Sequence, residues 1–182
     1  MDDKFLLRLS KSEKNEIAQN LIDILQKNVD IENHTRSFIS NWILSGPEEK
    51  TKAYYDVWDM VLKNYLPEER LILFRSCNRI SKKTKIASFT GRLECANAFN
   101  NGKGVLIICD TQETLRYEEE FRNVGNYRNT FYPIVSVLKK AKKSEGWGFS
   151  ERILNEFIGE DEYIMKFDPN TMHSLRWINN VN

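Results

Sequence analysis

Apolar residues recur at helical spacing through the first seventy positions. Ile17, Leu21, Ile24 and Leu25 form one stripe, and Ser10 followed by Glu13 has the spacing of a capping box, which predicts a helix start there. Phe38 and Trp42 repeat the spacing in a second, short segment. Tyr54, Val57, Trp58, Val61 and Leu62 make the buried face of a third helix, with Pro47 placed near its start and Pro67 beyond its end. Such stripes read as core faces rather than ligand boxes, because a 3.6-residue period is what burial of one helix side demands.

Beyond Pro67 the pattern changes. Leu71-Ile72-Leu73-Phe74 is a continuous apolar run of the kind buried strands show, and Val105-Leu106-Ile107-Ile108, after the turn signal Asn100-Asn101-Gly102, is another. Phe131 to Leu138 and Tyr163 to Phe167 are further predicted strands, while Leu93 to Phe99 and Glu151 to Phe157 are predicted short helices. No internal repeat, low-complexity tract or Pro/Gly-rich linker divides the chain. The expectation is a single α+β domain over 1–182, with a helical N-terminal part, 1–69, packed on a mixed β-sheet core, 70–182.

Composition narrows the classes. With 182 residues, 41% of them hydrophobic, the chain can bury a core and is not expected to be disordered. Its 27 basic and 26 acidic residues leave a net charge of +1, so no global field favours nucleic acid or an anionic membrane. The runs Lys139-Lys140 with Lys142-Lys143, Lys82-Lys83 with Lys85, and Glu118-Glu119-Glu120 read as solvated faces, with docking patches as the lesser alternative. Three cysteines without CxxC spacing point to a reducing compartment, and the cytoplasm is the expected working site. No apolar run approaches the roughly 18 residues of a membrane span, and Met1-Asp2-Asp3 lacks the basic start of a signal peptide. His34 and His173 are far apart in sequence, so neither a histidine metal site nor a Cys/His nucleophile pair is expected.

The candidate chemistry lies late in the chain. Glu160-Asp161-Glu162, after Gly159, runs straight into Tyr163-Ile164-Met165, and three consecutive acids repel one another unless water or a cation offsets the charge. If the triplet opens a strand, alternation sends Glu160 and Glu162 to one face and Asp161 to the other. A register slip of one residue would instead bring Asp161 to the site. Two other features fall at strand ends: Arg75, closing the first apolar run, and Ser88-Phe89-Thr90, ahead of a helix holding Ala96 and Phe99. Each has an ordinary reading: Arg75 as half of a structural ion pair, Ser88 as a helix cap, the acidic triplet as a solvated turn. Phe99, Tyr127, Phe131 and Tyr132 are stacking candidates for which burial in the core is the plainer role. No Rossmann or P-loop signature occurs, so hydride transfer and NTP hydrolysis have no support.

Taken in this order, arginine, Ser-x-Thr and Glu-x-Glu resemble the mono-ADP-ribosyltransferase family. Ala87-Ser88-Phe89-Thr90 followed by Ala96 and Phe99 resembles the central motif of its phage-encoded members in particular. The likeness runs from about Leu71 to Phe167. Ser76 stands where many members have Gly, the interval from Arg75 to Ser88 is compact, and Thr90 replaces a common Ser while keeping its hydroxyl. The resemblance implies a sheet core of the ADP-ribosyltransferase type and NAD as a substrate, with no metal. ADP-ribose would pass to a protein acceptor, arginine being favoured by the first glutamate; nucleic acid is possible but not favoured. It implies that Arg75 binds the diphosphate of NAD, that Ser88 positions Glu162 and the nicotinamide ribose, and that Thr90 braces them. Glu162 would stabilise the ribose cation, and Glu160 would orient or deprotonate the acceptor. Two alternatives keep the fold: an NAD glycohydrolase with water as acceptor, and a catalytically inactive binding or inhibitor protein.

Overall fold

Ser10 starts the first helix as its spacing predicts. Its Oγ accepts from Glu13 N at 3.2 Å while the Glu13 carboxylate accepts from Ser10 N at 2.7 Å, and these bonds hold the Glu13 carboxyl below its ordinary range. The computed structural model describes residues 8–69, 71–81, 83, 85–112, 130–169 and 172–177. Among these lie six α-helices: α1 (Lys11–Gln26), α2 (Asn33–Leu44), α3 (Lys52–Asn64), α4 (Leu93–Phe99), α5 (Ile134–Lys143) and α6 (Glu151–Glu160). Six strands accompany them: β1 (Ile72–Cys77), β2 (Lys85–Thr90), β3 (Val105–Asp110), β4 (Phe131–Tyr132), β5 (Glu162–Phe167) and β6 (His173–Arg176). The α+β class is as expected. The mixed sheet is not, because every pairing in the order β4-β5-β2-β1-β3-β6 is antiparallel.

Contacts divide the chain into two units. One joins the chain up to Tyr65 with Val135–Gly159; the other joins Leu66–Ile134 with the chain from Glu160 onward. Residues 135–159, expected within the sheet part, thus cluster with the first helices. In the helical unit, Phe38, Trp42, Tyr54 and Trp58 form an aromatic cluster with ring centroids 5.3 to 5.8 Å apart. Lys50 Nζ lies 3.8 Å from the centroid of the Trp42 ring, and Lys14 pairs with Asp56 at 2.8 Å to tie α1 to α3. Part of the lysine run is structural: Lys140 Nζ donates to the Ile24 carbonyl and to Asn28 Oδ1, and Lys142 Nζ donates to Asn155 Oδ1.

Two expectations fail for local reasons. Pro47 lies in a turn closed by Glu49 N donating to the Gly46 carbonyl at 3.1 Å, and α3 starts only after Thr51. Phe131 to Leu138 is not one strand. β4 stops at Tyr132 because Pro133 has no N–H for the ladder, and Ile134, Val135, Leu138 and Ala141, all buried, follow a helical period as α5. Among the described residues, no helix is long and apolar enough to cross a membrane.

Trp58 is fully buried at the centre of the aromatic cluster. Trp58→Ala is expected to destabilise the protein by about 3–5 kcal/mol, read by urea denaturation. A loss below about 1 kcal/mol would show that the cluster is not a core.

Candidate functional site

The ladder between β2 and β5 runs without a break from Lys85 opposite Phe167 to Thr90 opposite Glu162. Directly opposed residues in a sheet project to the same face, so Ser88, Thr90, Glu162 and Ile164 share one face. Ala87, Phe89, Tyr163, Met165 and Phe167 occupy the other, where Phe89 and Phe167 pack edge to face at 5.0 Å. All five residues of that second group are buried, whereas Ser88 and Glu162 are only half buried. On the first face solvent reaches Ser88 and Glu162, whereas Thr90 and Ile164 beside them are buried.

β1 meets β2 with Phe74 opposite Thr90, which places Phe74 on the Glu162 face and Arg75 on the opposite one. The surroundings agree: burial, and after it the like charge of Arg75, lowers the pKa of Lys85, a residue of that opposite face. The Arg75 guanidinium nevertheless touches the candidate site through the backbone, because its Nη1 donates to the Ser88 carbonyl at 2.7 Å. The structure thus gathers Ser88, Thr90 and Glu162 on one face and ties Arg75 to Ser88 from the other side of the sheet.

Glu160 does not alternate with Glu162 along a strand. It is the last residue of α6, Asp161 has φ +53°, and β5 begins at Glu162. The left-handed turn at Asp161 replaces the extended geometry that would have aligned the two glutamates. Thr90 fixes this junction: its Oγ1 donates to the Glu160 carbonyl at 2.8 Å and accepts from Arg92 N at 3.1 Å. Gly91 N donates to the Asp161 carbonyl at 3.2 Å. A Cβ at Gly91 would collide with the Asp161 carboxylate, so a larger residue there would have to displace that side chain.

Asp161 is tied into the strand through its side chain. Its carboxylate bonds the Tyr163 side chain, and burial together with the charges of Asp161 and Glu69 pushes the Tyr163 phenol up to about 12. Ser88 lies within β2 and does not cap α4, which follows Arg92. Arg92 instead pairs with exposed Glu94 at 2.6 Å. Among the stacking candidates, Phe131 and Tyr132 are buried, Phe99 is 65% exposed, and Tyr127 lies outside the described residues. Among those residues, no group of three or more His, Cys, Asp or Glu side chains is placed to hold a metal ion.

Comparison with family models, curated proteins and solved structures gave no match. The reading of the site rests on its own geometry and on the motif likeness. Sequence reasoning missed the turn at Asp161 and its bond to Tyr163. The available signal was the helical recurrence of Leu154 and Phe157, which carries α6 up to the acidic triplet and leaves one residue for the turn.

The Tyr163 phenol has its ordinary value of 10.0 raised to about 12, so its neutral form belongs to the folded state. The stability it contributes is fully present below about pH 10 and is lost as pH rises through about 12. Tyr163→Phe should therefore shallow the fall in melting temperature over that window. An identical alkaline profile for the variant would contradict the assignment.

Proposed function

We propose that the protein is an NAD-dependent mono-ADP-ribosyltransferase acting on a protein acceptor, with an arginine side chain as the favoured nucleophile. The observation that carries the proposal is the placement of Ser88, Thr90 and Glu162 on one face of adjacent strands, with a buried Thr90 directly opposite a half-buried Glu162. The motif order supplies the family likeness, and the shared face gives those residues a common place to act.

In this reaction the bond between ribose C1′ and the nicotinamide nitrogen breaks, and its electron pair leaves with neutral nicotinamide. The ribose is left as an oxocarbenium-like cation. Glu162, a half-buried anion on that face, stabilises that positive charge and accepts hydrogen bonds from the ribose hydroxyls. Ser88, on the same face, donates its hydroxyl toward the ribose or the Glu162 carboxylate. An acceptor nitrogen then forms the new bond to C1′ and loses a proton, which Glu160 takes.

Thr90 and Arg75 act by positioning. Thr90 holds the Glu160 carbonyl, and Arg75 holds the Ser88 carbonyl. Because Arg75 leaves β1 on the opposite face, its contact with the diphosphate stays an expectation of the resemblance. Glu160 and Glu162 stand on the two sides of a one-residue turn, which suits two separate roles better than a shared proton.

Release of nicotinamide from NAD tests the proposal. Glu162→Gln keeps the shape of the side chain and removes its charge, and is expected to lower the release rate about 100-fold or more with the melting temperature little changed. A Glu162→Gln protein as active as the wild type would remove Glu162 from the chemistry. Nicotinamide release without labelling of any acceptor would instead favour hydrolysis by water.

A further inference from the structure

The face that carries Glu162 continues across the sheet. Glu162 lies opposite Thr90, Thr90 opposite Phe74, Phe74 opposite Ile108, and Ile108 opposite His173, so these residues form one row on one face. Phe74 and Ile108 stay only half buried although they lie on the two strands at the middle of this row. In the neighbouring row, Ser76 lies opposite Leu106 and Leu106 opposite Leu175.

Trp177 extends this arrangement. Its N donates to the Gly104 carbonyl at 3.1 Å, prolonging the β3–β6 ladder, and its indole Nε1 donates to Ser76 Oγ at 3.1 Å. To reach β1 from the β6 side, the indole must cross β3 on the Leu106 face. On that face Leu106 is only 6% exposed, beside a Leu175 that is 58% exposed. The indole itself remains half buried. An aromatic ring is therefore held by its N–H on the same face as the site carboxylate, with part of its surface left to solvent.

We infer that Phe74 and Trp177 form an aromatic floor on which the adenine of the dinucleotide stacks. This rests on the NAD reading of the Glu162 face. Adjacent strands lie about 4.8 Å apart, so Phe74 is about 10 Å from Glu162 across the sheet and Trp177 is farther still. Nicotinamide is bonded directly to the ribose that Glu162 contacts, so the ring reaching these aromatics is the purine at the other end. Stacking on a π face tolerates any planar base, and a ring already oriented through Ser76 loses little freedom when the purine arrives.

Calorimetry of the full chain with NAD, AMP and nicotinamide mononucleotide tests the inference. Trp177→Ala is expected to weaken NAD and AMP about tenfold and to leave nicotinamide mononucleotide unchanged. Ser76→Ala leaves the indole present but unpinned, and is expected to weaken AMP about threefold; it serves if Trp177→Ala does not fold. AMP should also quench the wild-type tryptophan fluorescence, and Trp177→Phe should abolish that quench. Unchanged AMP and NAD affinity in both Trp177→Ala and Ser76→Ala, with wild-type protein that binds NAD and releases nicotinamide, would overturn this inference alone. Folded wild-type protein that fails to bind NAD would overturn the proposed function and the inference with it.

Discussion

The Thr90 hydroxyl holds the junction on which the arrangement of the site depends. By donating to the Glu160 carbonyl and accepting from Arg92 N, one buried side chain ties the end of β2 to the residue that precedes the Asp161 turn. Gly91 adds a backbone bond to Asp161 alongside it. These bonds satisfy polar groups that would be costly to leave unpaired in a buried position. They hold Glu160 and Asp161 where the helix gives way to β5.

The three acids thereby acquire three environments. Glu160 closes a helix, Asp161 turns with a positive φ and lends its carboxylate to the Tyr163 phenol, and Glu162 opens a strand opposite Thr90. The like-charge crowding evident in the sequence is relieved by geometry, because consecutive residues in helix, turn and strand conformations do not project in parallel. In the proposed reaction the half-buried Glu162 carboxylate, directly opposite Thr90, is the group that meets the nicotinamide ribose. Arg75 strengthens this frame from behind through the Ser88 carbonyl.

The sequence was informative where one period governed a segment. The stripe at Ile17, Leu21 and Ile24, the capping pair Ser10 and Glu13, and the apolar runs of β1 and β3 each reflect burial on one or both sides, and each formed the expected element. Legibility failed where two periods overlapped. Ile134-Val135-Ser136-Val137 combines β-branched residues with helical burial, so composition suggested strand while Pro133 and packing produced α5. At Glu160-Asp161-Glu162 the strand period was extended one residue too far, because a left-handed Asp leaves no mark in hydropathy. Trp177 was unreadable for a different reason: its partner Ser76 lies two strands away in the sheet, a relation fixed by strand order rather than by local pattern.

Separate roles for the two glutamates make the central claim measurable in a single incubation. Wild-type and Glu160→Gln proteins are given labelled NAD and a cell lysate, and both nicotinamide release and label transfer to protein are followed. Wild-type protein should release nicotinamide and label an acceptor, while Glu160→Gln should keep the release and lose the transfer. Folded wild-type protein that does neither, or a Glu160→Gln variant that labels as well as the wild type, would contradict it.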